Sequence, residues 1–427
     1  TPKQAFARAE RLLREQEQKL EGLKMQAADL VKSKEQEILA ACDCLDSYCS
    51  NFEIRKFAAC TNTLNEGEER YILYGWMANK DAEKLQREIA MDEKINCVEE
   101  EPGDDLGSKP PTKLKNPKIL KPFEMFVEMY GLPGYNEMDP TLFIALTYTF
   151  MFGVMFGDVG QGACLVLGGA LLYKIKGMRL AGIVAVGGIW SVIFGFLYGS
   201  FFGFEETIPA LWMKPMDNIM TTLMLAIGFG AGLILLAMAL NMVNAVRAKE
   251  YGRLLFNQSG LAGLICYGFV VACALLFVTG HALPATALIG AMVGIPLAAI
   301  LLKEPLAHLV EKKGHLFPEG SKVMFFVEAL VEGFDVVLSY ATNTISFVRV
   351  GAFALSHAGM MGVVMTLAGL ERGNPNWVVI ILGNALVAGL EGLVVGIQVL
   401  RLEYYEMFSR FYTGNGKPFV SFKNRNQ

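Results

Sequence analysis

The sequence predicts a mainly α-helical, polytopic membrane protein. Eight transmembrane helices, the last two long and tilted, follow an N-terminal cytosolic coiled-coil arm with a small α+β unit. Three observations carry that expectation. Apolar residues make up 53% of the 427 residues and charged residues only 19%, with positive mean hydropathy. The apolar residues are concentrated from Thr141 onward, whereas residues 1–120 are rich in Lys, Glu, Arg and Gln. The basic residues between the apolar segments fall almost entirely in alternate loops. This balance excludes disordered and fibrous chains. A net charge of only −4 gives no global field for nucleic acid.

The arm comes first. Ala5, Ala9, Leu12, Leu13, Leu20, Leu23, Ala27, Leu30 and Val31 recur at near-helical spacing between charged residues, which predicts one helix over 3–60. A solitary amphipathic helix of that length needs a partner for its stripe. The chain opens Thr1-Pro2-Lys3 inside this pattern, with neither Met nor an apolar signal segment, so a fragment lacking an upstream antiparallel helix is expected. Arg70–Trp76 reads as a short strand, Asp81–Ile89 as a helix and Lys94–Val98 as a second strand. Residues 99–118, with Pro102-Gly103 and Pro110-Pro111, form a polar linker, so the domains divide into 1–120 and 121–427. Of the eight Cys, Cys42, Cys44 and Cys49 cluster and Cys60 and Cys97 stand alone. No His lies nearby to complete a metal site, so reduced thiols on a packed helix are expected. Cys164, Cys266 and Cys273 lie in apolar spans and are expected to be packing residues.

Eight apolar segments follow, at about 141–156, 160–173, 180–203, 218–246, 257–280, 283–302, 323–370 and 376–412. The first two meet at Gly157-Asp158-Val159-Gly160, and both two tilted spans and one broken hairpin remain open there. Asp158 is expected to hold a tight turn. Loops after the second, fourth and sixth segments carry Lys174, Lys176, Arg179, Arg247, Lys249, Arg253, Lys303, Lys312, Lys313 and Lys322, ten basic residues. The opposite loops carry two, Lys214 and Arg372. That asymmetry places the ten, both termini, and the tail bearing Arg410, Lys417, Lys423 and Arg425 in the cytoplasm. Residues 323–370 would extend about 70 Å as a helix, against a hydrocarbon core of about 30 Å. A steep tilt suits a helix laid against a curved protein surface.

Ionisable groups inside such spans are costly, so each is a functional candidate. The seventh segment holds Glu328, Glu332, Asp335, Arg349 and His357; the eighth holds Glu391, Arg401 and Glu403. Helical spacing places the first five on nearly one face. By the same topology the acids lie towards the inside, with Arg349 deeper and His357 beyond it. Glu391 lies towards the outside and Arg401 nearer the inside. Two polar half-paths separated by arginines result. Arginine stays protonated, so it cannot relay a proton, but it can pair with a passing carboxylate and favour release of its ion. For Glu328 and Glu403, near helix ends, snorkelling and function stay equally open. Arg349, deep within Ile345–Ala352, favours function.

Several stretches resemble one family. Pro122-Phe123-Glu124, Glu128–Pro133 and Asp139-Pro140-Thr141 are similar to the start of the membrane domain of subunit I of prokaryotic V/A-type rotary ATPases, the counterpart of the vacuolar ATPase a-subunit. Met151–Gly160 is the most specific stretch, followed by Gln161 where the family often has His. Ser346–Ala358 resembles the family's essential-arginine motif. Glu391-Gly392, Arg401-Leu402-Glu403, Phe411-Tyr412 and Lys417-Pro418-Phe419 resemble its C-terminal signature, and Tyr74-Gly75-Trp76 the end of its cytosolic half. The resemblance implies a stator and ion-channel subunit with eight spans. Arg349 then faces the carboxylates of a proteolipid rotor ring, with Arg401 beside it. Asp335 and His357 occupy polar channel positions and Glu391 the outer half-channel, and Glu332 and Gln398 join the candidate path. It further implies H⁺ or Na⁺ as cargo, peripheral-stalk subunits on the N-terminal arm, a prokaryotic plasma membrane, and no cofactor. No phosphate-binding loop of the G-x-x-x-x-G-K-[ST] type is present, so ATP chemistry belongs to other subunits. The rivals are a self-contained secondary transporter, which calls for an inverted repeat that is not visible, and a purely structural membrane anchor.

Overall fold

The computed structural model describes residues 2–62, 69–73, 75–91, 95–99, 110–204, 207–282, 284–303, 305–306, 322–370 and 375–419. They divide into two compact units, one taking in residues 1–107 and 419–427, the other Ser108–Pro418.

In the first unit the expected single helix is two, α1 (Pro2–Ser33) and α2 (Glu35–Phe57). The Ser33 hydroxyl donates to Leu30 O at 2.9 Å, a back-bond that competes with the helical ladder just before the break at Lys34. Leu20, Leu23, Leu30, Leu39 and Leu45 are exposed, so these leucines have no cover among the described residues. Cys42, Cys44 and Cys49 are exposed as well, rather than packed. The chain continues into an antiparallel hairpin, β1 (Ala58–Asn62) with β2 (Glu69–Leu73), in the register Ala58 opposite Leu73 and Asn62 opposite Glu69. Helix α3 spans Asn79–Ile89. The second expected strand is absent from Ile95–Val98, which have no regular structure; its first residue, Lys94, lies outside the described residues.

The second unit begins with α4 (Glu124–Tyr130), which buries Phe126 and Val127. Each of the eight apolar segments then contains helix: α5 (Thr141–Met155), α6 (Val159–Lys176), α7 (Arg179–Tyr198), α8 (Ile219–Arg247), the short α9 (Tyr251–Phe256) leading into α10 (Leu261–Val278), α11 (Thr286–Leu301), α12 (Lys322–Ser346) with α13 (Val348–Leu367), and α14 (Trp377–Leu402). Helix α14 runs on through a π-helical turn, Glu403–Phe408, into α15 (Ser409–Phe411). Five runs are long and apolar enough to cross a membrane: Arg179–Tyr198, Ile219–Arg247, Tyr251–Val278, Val327–Leu367 and Trp377–Phe411. Helices α5 and α11 are apolar but shorter. Helix α6 has 18 residues, with Gln161, Lys174 and Lys176 diluting its apolar character. The 41-residue run Val327–Leu367 is about 60 Å long at 1.5 Å per residue, twice the hydrocarbon thickness.

Helix α7 packs on both α6 and α5, α10 on α11, and α13 on α8, α14 and α5. The α6–α7 contact is a close backbone approach made possible by glycine. A Cβ on Gly188 would sit 2.9 Å from Gly162 O and Val166 N. Asp158 ties the turn between α5 and α6 together. Its fully buried carboxylate caps α6 by accepting from Gln161 N at 2.9 Å and also accepts from Phe202 N (3.0 Å), Gly203 N (3.0 Å) and Ser200 Oγ (2.7 Å). The structural role expected of Asp158 is therefore met by four donors, one in the first turn of α6 and three in the loop after α7.

The C-terminal stretch folds back on α4. Tyr412 Oη donates to Gly131 O at 2.5 Å, Tyr404 Oη to Phe126 O at 2.7 Å and Gly416 N to Leu132 O at 2.8 Å. Tyr130 meets Tyr404, Phe408 and Tyr412 with ring centroids 5.2–5.6 Å apart. Burial, and then the Glu137 carboxylate, push the Tyr130 phenol above its ordinary range, so it stays neutral in this cluster. Asp158→Ala is expected to destabilise the fold by more than about 3 kcal/mol, because several buried donors lose their acceptor together. Thermal unfolding in detergent checks this, with Asp158→Asn falling between the variant and the parent.

Candidate functional site

The site is built on two helices that do not run cleanly. Between α12 and α13 the ladder tightens at Phe347, where Phe347 N donates to Thr344 O (3.3 Å) and Val350 N to Phe347 O (3.0 Å). The Phe347 ring is fully buried against Gly230 of α8, where a Cβ would collide with it. This anchors the break and fixes Ser346 and Arg349 on either side of it. Facing them, the π-helical turn after α14 carries Glu403 and Glu406.

Arg349 is half-buried. Its Nη2 donates to Ser346 Oγ at 3.2 Å, while Nη1 is buried with no partner. The Ser346 hydroxyl in turn donates to Glu406 Oε1, and Glu406 Oε2 is left buried and unpaired. Among the described residues, no carboxylate lies within ion-pair distance of the guanidinium. An Arg thus stands in an apolar helix with one donor face held and the other vacant. Its hydroxyl partner in turn contacts the Glu406 carboxyl.

His357 and Glu391 form the second centre. His357 Nδ1 and Glu391 Oε2 are 2.6 Å apart, and both residues are only 3% exposed. The His357 ring also lies 5.0 Å from that of Phe156. Its Nε2 and Glu391 Oε1 are buried without partners. A cavity of about 20 Å³, lined by Tyr198, Ser200, Lys214 and His357 among others, has room for about one water here.

The other expected site residues fall elsewhere. Glu332 pairs with Lys303, just beyond α11, and is half-exposed, Asp335 and Glu328 are exposed, and Arg401 is exposed near the end of α14. Gln398 is half-buried with Oε1 unpartnered. The single face of acids, Arg and His expected along the seventh segment is therefore divided. A tightened turn changes the helical phase. The two halves also pack on different neighbours, α12 on α11 and α8, and α13 on α8, α14 and α5. Glu403 does not snorkel; it is fully buried, with neither oxygen paired. Arg410, counted from the sequence with the cytoplasmic tail, is 7% exposed and lies 5.4 Å above the Tyr340 ring, whose hydroxyl donates to Gln258 O at 2.5 Å. Cys164 is no packing residue, since it is exposed and lines an apolar cavity of about 790 Å³ with Phe202, Trp377 and Asn384. Sequence reasoning passed over Ser346 and Glu406. Ser346 had a signal, being one turn before Arg349; Glu406 had only its position three residues beyond Glu403.

With this geometry in place, comparison with known proteins is informative. Residues 2–208 match the model of the V-type ATPase 116 kDa subunit family. That match takes in just under half of the chain, which over those residues is similar to the family. Curated relatives extend the similarity across the rest. The A-type ATP synthase subunit I of Methanocaldococcus jannaschii is 27% identical, covering 99% of this chain and 64% of the relative. The Aeropyrum pernix subunit I is 28% identical over 86% of this chain and 59% of its own length. The Pyrococcus abyssi subunit I is 25% identical over 99% and 63%. The chain therefore spans about three fifths of the length of these relatives.

Removing one member of the His357–Glu391 pair leaves the other buried and unsatisfied, so Glu391→Ala is expected to cost about 3–5 kcal/mol. The double variant His357→Leu with Glu391→Leu is expected to cost less than the sum of its single changes. A double-mutant cycle by thermal unfolding measures that coupling.

Proposed function

We propose that this chain is the membrane stator and ion-channel subunit of a rotary A/V-type ATP synthase or ATPase. The observation that carries the proposal is the half-vacant guanidinium of Arg349, inside an apolar helical run of 41 residues, with no carboxylate among the described residues paired to it. A fixed cation in a low-dielectric setting attracts a carboxylate brought by a moving partner and lowers its hold on H⁺. The match to the V-type ATPase 116 kDa subunit family and the relatives named A-type ATP synthase subunit I support that partner being a proteolipid ring.

In this mechanism eight spans carry the polar path, and α12–α14 lie tilted along the ring. The His357–Glu391 centre, with its water-sized cavity, belongs to the outer half-channel, where imidazole and carboxylate exchange the ion with solvent. Glu332, Asp335, Gln398 and Arg401 belong to the ring-facing and inner path; Asp335 and Arg401 are exposed, as an interface with a ring requires. An ion enters by one half-channel, loads a ring carboxylate, travels with the ring and leaves by the other. Arg349 blocks the direct route. Each charge moved through 100 mV releases about 2.3 kcal/mol, so several must pass for each ATP. ATP itself is bound by other subunits, and the N-terminal unit holds peripheral stalks in a prokaryotic plasma membrane, with both termini in the cytoplasm.

Arg349→Ala in the assembled complex is expected to abolish ATP-driven ion uptake into vesicles while leaving assembly intact. Arg349→Lys is expected to retain less than a tenth of uptake, because an ammonium cannot keep the Ser346 contact and offer a planar second face at once. Normal uptake in the alanine variant would leave the anchor reading standing instead.

A further inference from the structure

We propose that Glu406, acting through the Ser346 hydroxyl, is the positioning residue that aims and restrains Arg349; this rests on the function proposed above. Three observations converge. The hydroxyl of Ser346 accepts from Arg349 Nη2 and donates to Glu406 Oε1, so one side chain joins cation to anion. Glu406 is 6% exposed and its second oxygen has no partner, so no other contact accounts for a buried carboxyl at that place. Both ends of the relay sit on irregular backbone, the tightened turn at Phe347 and the π-helical turn Glu403–Phe408, where single residues are re-aimed relative to a regular helix.

The spacing has a physical consequence. A carboxylate in direct contact with Arg349 would satisfy the guanidinium and shut out a visiting carboxylate. Moving the countercharge to the far side of a hydroxyl about doubles the separation and so about halves the Coulomb attraction. Arg349 then keeps a preferred orientation and a vacant Nη1, and a carboxylate arriving in direct contact outcompetes Glu406. Glu406 sets where Arg349 rests and takes no part in carrying the ion.

The test uses the intact complex in vesicles, scoring ions taken up per ATP hydrolysed in assembled particles. Glu406→Gln keeps the acceptor for Ser346 but removes the charge. Ser346→Ala keeps the charge but cuts the relay, and Ser346→Thr restores the hydroxyl. Expected are a loss of about tenfold in the first two, no further loss when they are combined, and recovery to within twofold in Ser346→Thr. A structural role alone would lower yield and hydrolysis together, would make the two changes additive, and would overturn the inference. Should Glu406→Gln fail to assemble, the Ser346→Ala and Ser346→Thr pair decides, and equal uptake in both overturns it. If Arg349→Ala abolishes uptake while Glu406→Gln and Ser346→Ala leave it unchanged, only the positioning role falls. If Arg349→Ala itself keeps uptake, the underlying function falls.

Discussion

An unpaired arginine in an apolar helical run is the constraint on which this molecule turns. Leaving a guanidinium donor buried and unmet is costly. The surrounding structure tolerates it by tightening a helix at Phe347, seating that ring in the notch left by Gly230, and supplying Ser346 as a single neutral partner. Most of the orphaned buried atoms among the described residues lie on α13, α14 and the turns that follow, namely Arg349 Nη1, His357 Nε2, Glu391 Oε1, Gln398 Oε1, Glu403, Glu406 Oε2 and Arg410 Nε and Nη2, with Gln161 Oε1 on α6 beside them. Asp158 is as deeply buried as any of these residues, yet all four of its contacts are ordinary hydrogen bonds. A buried acid with every contact met thus holds the fold, while those at Glu403 and Glu406 keep oxygens unmet.

The scaffold supports this division. Helices α5 to α7 pack through glycines at backbone distance and form a rigid block, and the C-terminal stretch clasps α4 through Tyr404, Tyr412 and Gly416. Helices α12–α14 are held on one side by that block and by α8. Their other faces show Val331, Phe334, Val337, Leu382, Leu386, Leu390 and Leu393 to the surroundings. In a bilayer such faces meet lipid or another apolar helix at similar cost, which suits a surface that a partner slides across.

Much of the fold was legible because membrane helices announce themselves by length and hydropathy alone. Every apolar segment contains helix, and the excess length of the last two is there. The arm was harder. One continuous pattern hid the break at Lys34, and a short β-rich run near Lys94 gave no strand because its residues find no ladder to join. Within the site, Arg349, His357 and Glu391 were legible as charges where charges are expensive. The shared face drawn through Glu328, Glu332, Asp335, Arg349 and His357 was not, since it assumes one straight helix with one set of neighbours. Ser346 and Glu406 depend on which turn faces which across 60 residues of chain, and Arg410 is buried only because the π-helical turn tucks it over Tyr340. No periodicity carries that information.

The most direct measurement is a high-resolution structure of the assembled membrane sector, read at the Arg349 side chain. The account predicts Nη2 on Ser346 and Nη1 within about 4–6 Å of a carboxylate from a neighbouring chain. A guanidinium paired directly with Glu406 or Glu391 of its own chain, or turned into acyl chains, would contradict it.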